Sequence, residues 1–429
     1  MIKGDSSFLK FMRLLTLGYV GGTIYCLMYI RYVFYDQMMA LMGCTNAQLG
    51  FLTTVSSTTS LCLFLVGPYL ADKLDAKKVI TFAIGGITVL TFAFAMVCES
   101  YKASLVIWFF QPIVLMPYWA CLIKYINNLG GEDGAGNAFG TYYMINGLSG
   151  ALGNAIPLAV CQFAGFKGAM IALGLMTAVA TVMALLFLEN EKSLAERGIY
   201  LKGDEPIRVK YMLDAVKWPG FWILGLGYLF TYTLYSNVSY FNPYLINVIG
   251  IDPDASSVYS VIRSYGAMIV APLGGYMADK VFKSTSTWYI VAFGITAVMW
   301  IIPLFFNENS NPTFVCIYSL IPSLVIFALY SVTYSILREL HVNPIVAGTL
   351  IGLSGKLSMP VDGVYPAMFG SWIDKYGNQG FTYIFLFLIA SCIGGILVAL
   401  WAKKLDKDCK SGKKVMKVGG KVPANASEV

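Results

Sequence analysis

Charge is scarce in this sequence: Asp, Glu, Lys and Arg make up 12% of 429 residues, against 57% hydrophobic. With a mean hydropathy of +0.67, so little charge excludes an ordinary soluble protein. Histidine occurs once, at His341, so neither histidine-based catalysis nor a multi-histidine metal centre can be assembled. Glycine-rich phosphate loops, HExxH and nucleophile motifs are missing too, and the expectation is a chain that is no enzyme and uses no cofactor or metal. Cys26, Cys62, Cys121, Cys161, Cys316 and Cys392 lie in apolar runs without paired or metal-like spacing, and read as packing residues. No cleavable leader is recognisable, because the first apolar run is too long for an h-region and no small-residue cleavage site ends it. The net charge of +7 comes from loops and tail, which leaves a nucleic-acid role without support.

What the chain does have is apolar runs. A hydrocarbon core about 30 Å thick needs roughly 20 helical residues, and twelve runs meet that need: 13 to 40, 46 to 72, 78 to 98, 103 to 126, 137 to 163, 167 to 188, 219 to 247, 255 to 279, 287 to 306, 313 to 337, 345 to 373 and 381 to 402. They are continuous rather than alternating, so they predict helices, which close their own backbone hydrogen bonds in lipid. Placing the N-terminus in the cytoplasm puts Lys3, Lys10, Arg13, Lys73, Lys77, Lys78, the basic residues between 192 and 217, Lys280, Lys283 and Arg338 inside. Lys102, Lys167 and Lys375 remain outside, and both termini are expected to be cytoplasmic in a multi-pass cell membrane protein. The tail, with Lys403, Lys404, Lys407, Lys410, Lys413, Lys414, Lys417 and Lys421, reads as a solvated segment that can also touch anionic lipid.

The chain repeats itself. Gly67-Pro-Tyr-Leu-Ala-Asp72-Lys73 at the exit of the second run returns as Gly274-Gly-Tyr-Met-Ala-Asp279-Lys280, 207 residues on. The same offset sets Leu17 and Gly18 on Leu224 and Gly225, Tyr25 on Tyr232, Phe34 on Phe241 and Gly43 on Gly250. The fold expected is therefore an all-α polytopic membrane protein with twelve transmembrane helices as two six-helix bundles related by pseudo-twofold symmetry. Its parts are a bundle at 1–190, a polar linker at 191–217, a bundle at 218–403 and a basic tail at 404–429. Gly147, Ala151 and Ala155, and Gly266, Gly274 and Gly275, are spaced for close helix approach. Pro157, Pro243, Pro272, Pro360 and Pro366 are placed to break helices that line a cavity or hinge.

Six plus six helices, a linker, and Gly-x-x-x-Ala-Asp-Lys loops after helices two and eight resemble the major facilitator superfamily. The resemblance implies gating loops at Gly67, Asp72 and Lys73, with Lys77 and Lys78 as the following basic residues, and at Gly274, Asp279 and Lys280. Asp75 stands where the family's loop has Gly, and because Asp tolerates left-handed dihedrals better than most residues the turn can survive, whereas Phe282 takes that place in the second copy and makes it weaker. Tyr29-Ile-Arg-Tyr with Tyr35-Asp36, Thr45-Asn-Ala-Gln-Leu-Gly50 and Gly370-Ser-Trp-Ile-Asp374 look like sugar-phosphate and organic-anion permeases of that superfamily.

Charges inside a bilayer need a partner or a function. Arg31 and Arg263 are each about four residues outward of the middle of helices one and eight, at one depth, and could grip one ligand. Tyr35 and Tyr259 follow at i,i+4, and guanidinium with phenol suits a carboxylate or phosphate. The alternative is neutralisation of the arginines by Asp36, Asp362 or backbone carbonyls. Lys356 and Asp362 share helix eleven about 120° apart around Pro360; Lys356 is a candidate for substrate charge, and Asp362 or Asp36 for a coupling proton, with ties to neighbouring helices as the other reading. Lys124 can snorkel to the membrane surface. Tyr25, Tyr29, Tyr32 and Asp36 form a stripe of either packing or cavity lining, and Tyr235, Ser236, Asn237, Ser239, Tyr240 and Asn242 make the seventh helix too polar for lipid all round.

The function expected is secondary transport of a small organic anion, of sugar-phosphate or carboxylate type, by alternating access with proton symport or anion exchange. Its partners are the substrate, a coupling proton or counter-anion, and the lipid bilayer, with no nucleic acid. Proton-coupled efflux of drugs or amphipaths, and a transporter-like solute sensor, are the alternatives. Because the loops lie far from the bilayer midplane, Asp72→Asn is expected to slow cycling with little change in equilibrium substrate affinity. Exchange kinetics set beside equilibrium binding test this, and a large loss of affinity with normal cycling would refute it.

Overall fold

The computed structural model describes residues 7–64, 66–196, 209–342 and 350–416, and these are helical without a strand. Arg197, Lys202 and Arg208 of the linker, and Lys417 and Lys421 of the tail, lie outside the described residues. Two compact units emerge, Met1–Asp204 with Asp252–Val261, and Glu205–Ile251 with Ile262–Val429.

In the first unit, span one is Ser7–Ile24, then an irregular passage containing the 3-10 turn Ile30–Tyr32, then Tyr35–Met42. Span two is Asn46–Cys62 and Val66–Lys73, span three is Ala76–Val97, and span four is Tyr101–Ile126. Helical hydrogen bonding continues from Tyr118 to Phe187, but a straight helix of that length would measure about 105 Å. Contacts with span one show the reversal. Tyr142 lies against Gly21, Gly153 against Cys26 and Phe166 against Phe34, after which the carbonyl of Phe187 accepts from Nε of Arg13. The chain climbs beside span one and returns, turning at Gly165 with φ +66°; these limbs are spans five and six.

In the second unit, span seven is Pro219–Asn237, the 3-10 turn Val238–Tyr240 and Phe241–Asn247. Span eight runs Pro253–Tyr265, Gly266–Val270, Ala271–Tyr276 and a π-helical turn, Met277–Val281; its beginning groups with the first unit. Thr285–Ile301, Pro312–Ser331 and Gln379–Lys410 are spans nine, ten and twelve, and span eleven is divided at Gly355–Ser358 and Pro360–Gly363 before Tyr365–Tyr376. Among the described residues, six ranges are long and apolar enough to cross a membrane unbroken, one of them, Ala138–Leu194, holding two spans. Spans one, two, seven, eight and eleven are the interrupted ones.

Local chemistry accounts for the boundaries. Thr45 and Gln48 form a reciprocal capping box, and Asp75, Ser100, Ser284 and Asn311 each accept the backbone N–H three residues on. Pro272, Pro360 and Pro366 sit in first turns, where a missing N–H is harmless. Pro157 differs from expectation, lying inside an unbroken helical run.

The internal repeat has structural content. The 3-10 turns Ile30–Tyr32 and Val238–Tyr240 recur at the offset of the sequence repeat to within a residue. Phe34 and Phe241 are both fully buried, Phe34 edge-on to Phe166 and Phe241 stacked on Trp300. Gly43 and Gly250 adopt φ +59° and +79°, ending spans one and seven in the left-handed region that glycine favours. Asp252, at the place of Thr45, caps the next helix through the N–H groups of Asp254 and Ala255. In the first unit the packed small face of span five is Gly150 and Gly153, against Gly22 and Cys26, whereas Ala155 of the expected stripe is exposed.

The hinge glycines are tightly packed. A Cβ on Gly67 would stand 2.5 Å from the carbonyl oxygen of Met116, and one on Gly274 would collide with the carbonyl oxygen of Ala328. Gly275, next in sequence, faces open space. Gly274→Ala is therefore expected to lower stability by roughly 1–3 kcal/mol through overpacking, and Gly275→Ala to be neutral or to stabilise by up to about 1 kcal/mol through helix propensity. Thermal unfolding of the two purified variants checks the contrast.

Candidate functional site

Arg263 is 1% exposed, near the end of Pro253–Tyr265. Its Nε donates to the carbonyl of Ser319 at 3.3 Å and its Nη2 to the Ser319 hydroxyl at 3.1 Å, while its carbon lies 5.5 Å from the centre of the Phe241 ring. Nη1 is buried and makes no hydrogen bond, and among the described residues no carboxylate pairs with this guanidinium. A backbone carbonyl, a hydroxyl and a ring face orient the charge without neutralising it, so an N–H remains for an acceptor from elsewhere. Tyr259, half-buried, stays one turn away on the same continuous helix, as the spacing predicts.

Arg31 is 2% exposed, in the 3-10 turn of span one, with its guanidinium carbon 4.6 Å from the Tyr32 ring centre. Here the structure departs from the expected regular helix. The break between Ile24 and Tyr35 removes the i,i+4 face on which Arg31 and Tyr35 were placed, and Tyr35 instead donates its hydroxyl to Oδ1 of Asn46 at 2.9 Å. The supposed stripe dissolves for the same reason: Tyr29 and Tyr32 stack on each other at 5.5 Å, and Asp36 joins the first turn of Tyr35–Met42, where a helix N-terminus favours a carboxylate. The hydroxyls of Ser257 and Ser260 donate to the carbonyls of Val33 and Tyr32, groups that the break leaves short of helical partners.

Lys356 and Asp362 are half-buried on separate short helical pieces of span eleven, so the angle expected of a straight helix does not apply. Oδ2 of Asp362 accepts the hydroxyl of Tyr232 at 2.7 Å. Tyr232 belongs to a group of rings that the sequence reading largely missed, with Tyr228, Tyr235, Tyr330 and Tyr334. Their signal was the i, i+4, i+7 spacing of Tyr228, Tyr232 and Tyr235, the periodicity noted in span one.

Of the loop residues, Lys73, Asp279 and Lys280 are exposed; the side chain of Asp72 lies outside the described atoms. Asp75 is not left-handed but extended (φ −66°, ψ 125°), a helix cap that also accepts the N–H of Glu191. In the second copy the left-handed residue is Lys283, φ 53°, and not Phe282. Lys124 pairs with Glu191 at 2.8 Å and Arg13 with Glu189 at 2.6 Å, tying spans one, three, four and six. In the second unit Glu339 accepts from the N–H groups of Thr285 and Ser286, and His341 meets Asp406 at 2.8 Å. Cys62 is exposed rather than packed, and no disulfide links the nine cysteines.

Comparison with known proteins decides the family, for the Major Facilitator Superfamily model matches residues 17–355. The chain belongs to the Major Facilitator Superfamily. It is a transporter of the cell membrane that crosses the bilayer many times. Inner membrane protein YihN of Escherichia coli (strain K12) is 25% identical over 398 residues, covering 90% of this chain and 93% of that protein. Probable sulfoacetate transporter SauU of Cupriavidus necator is 22% identical over 393 residues, covering 83% and 84%. A solved bacterial homologue of the human lysosomal transporter Spinster superposes with TM-score 0.70 at 14% identity, covering 94% of this chain and 98% of that one. The nucleoside transporter NupG gives 0.68 at 15%, covering 93% and 99%. These structures share the superfamily fold, which is what such identities show.

The Tyr35–Asn46 bond separates packing from binding. In this superfamily member Tyr35→Phe is expected to lower stability by about 1 kcal/mol, the net worth of one hydrogen bond, and to leave substrate affinity unchanged. Thermal unfolding and equilibrium binding on the same preparation read both quantities, and an affinity loss at unchanged stability would make Tyr35 a binding residue.

Proposed function

We propose that the chain is a secondary active transporter of a small organic anion, working by alternating access with proton symport or anion exchange. The observation that carries this reading is Arg263, a buried guanidinium held by Ser319 and Phe241 with Nη1 unspent and, among the described residues, no carboxylate paired with it. Burying a charge is expensive without a partner, and a substrate carboxylate, phosphate or sulfonate supplies one in a form that leaves again. Arg31 provides a second buried positive charge in the other half of the chain, and Lys356 a third positive charge, half-buried. A relative named as a probable sulfoacetate transporter, whose substrate is a small organic anion, supports the same class.

Asp362 is the carboxylate proposed to exchange a coupling proton, on the ground that it is a half-buried acid within span eleven whose Oδ2 accepts the Tyr232 hydroxyl at 2.7 Å. Asp36 is the second candidate. The loops at Gly67, Asp72 and Lys73 and at Gly274, Asp279 and Lys280 are assigned to gating, and the Lys and Arg bias of the loops assigns both termini to the cytoplasm.

Truncating one partner of a desolvated charge contact costs about 2–5 kcal/mol, so Arg263→Ala is expected to weaken an anionic substrate by well over tenfold. Arg263→Lys is expected to restore part of that affinity, since an ammonium lacks the planar fork. Binding measured per folded molecule is the test. Unchanged affinity at reduced folded yield would make Arg263 structural and remove the main support of this reading.

A further inference from the structure

Span twelve, Gln379–Lys410, has 32 residues, a rise of about 48 Å against a hydrocarbon core of about 30 Å, so the helix extends beyond that core. Its two faces differ. One is buried within the second unit: a Cβ on Gly394 would meet the Phe230 ring and one on Gly395 the Phe293 ring, and Leu388, Val398, Ala402 and Leu405 continue that face. The opposite face is exposed and carries Leu386, Ile393, Leu397 and Leu400 at helical spacing, an apolar stripe suited to acyl chains. The next positions on that line are Lys404 and Lys407, both exposed, with Trp401 a turn above Lys404. From Leu386 to Lys404 the helix rises about 27 Å. The stripe therefore changes from aliphatic to basic over the depth at which the hydrocarbon ends, and an aromatic ring marks the join, as at membrane surfaces generally.

Six lysines lie between 403 and 414. The acids among them are engaged: Asp406 pairs with Lys410 and with His341, both at 2.8 Å, and Asp408 with Lys414 at 3.9 Å. Lys403, Lys404, Lys407 and Lys413 are exposed and, among the described residues, form no ion pair. A lysine on a continuous helix differs from one on a solvated tail, because the backbone fixes its height and its stem can lie along the apolar surface above it. We propose that Lys404 and Lys407, with Lys403 beside them, bind the headgroup of an anionic phospholipid whose acyl chains lie along Leu400, Leu397 and Ile393. Opposite charge selects the headgroup, and the apolar stripe selects a lipid over a free phosphate. The leaflet is the one that the Lys and Arg bias assigns to the cytoplasm. This surface shares no residue with the Arg263 site, so it stands whichever solute is carried.

The test is thermal stabilisation of the purified full chain in detergent, titrated with phosphatidylglycerol, with phosphatidylcholine of the same acyl chains, or with inorganic phosphate. Phosphatidylglycerol is expected to act at a concentration roughly tenfold or more below phosphatidylcholine, and inorganic phosphate to give no shift that depends on these lysines. A lysine at an anionic surface is worth about fivefold in affinity, so Lys404→Gln and Lys407→Gln are expected to raise the phosphatidylglycerol midpoint by about fivefold each and by more than tenfold together. Both side chains are exposed, so the variants are expected to fold as the wild type does. Lys417→Gln with Lys421→Gln, further along the tail, is expected to move the midpoint less than about twofold. An unchanged midpoint in the Lys404 and Lys407 double variant, equal action of the two lipids, or a loss that follows the tail lysines instead would overturn the site. Stabilisation by inorganic phosphate that the double variant abolishes would make it a free-anion site and overturn the lipid assignment.

Discussion

A guanidinium taken out of water loses several kcal/mol of solvation that the protein must return through hydrogen bonds or an opposite charge. Arg263 receives only part of that return, from one serine and one aromatic ring. In a soluble protein such a residue would be a candidate for replacement by a hydrophobic one. On the anion-transport reading proposed above, that incomplete solvation is what a leaving-and-returning anion would bind, and the second unit keeps the charge in place: Ser319 on span ten, Phe241 just past the break in span seven, and Trp300 and Phe385 packed behind that ring.

The breaks in the helices follow from the same constraint on polar groups in lipid. A spanning helix satisfies its own backbone, and any interruption must find other partners. In the first unit the carbonyls of Tyr32 and Val33 find the hydroxyls of Ser260 and Ser257. Matching 3-10 turns in spans one and seven, each followed by a buried phenylalanine and closed by a left-handed glycine, make the broken helix part of the repeated design. Close-packed glycines hold such helices against their neighbours, and Gly67 and Gly274 do so against the backbone of the next span but one.

Much of this was legible in the sequence, because bilayer thickness imposes a length on apolar runs and duplication imposes an offset. The spans and the two halves followed from those two regularities, and the resemblance to the superfamily rested on the Gly-x-x-x-Ala-Asp-Lys loops that they frame. Tyr35 was misplaced because a uniform helical rise was carried through residues 25–34, where no residue advertises the break: proline is missing there, and the interruption is fixed by span-to-span bonds that sequence spacing does not reveal. Tyr259 keeps its i,i+4 spacing to Arg263 because helix Pro253–Tyr265 is continuous. Asp75 was read as a turn residue when its carboxylate caps a helix and holds Glu191, a partner 116 residues away. The tyrosine cluster was half visible, since three of its rings share one helical periodicity and the other two arrive from span ten.

The most direct test of the account is a counterflow assay with the purified chain in liposomes, using a panel of sugar phosphates, sugar acids, carboxylates and sulfonates beside lipophilic cations. The account predicts that at least one organic anion drives uptake of its labelled counterpart, that this uptake saturates, and that the cations neither exchange nor compete. Exchange of lipophilic cations with no response to any organic anion would contradict it.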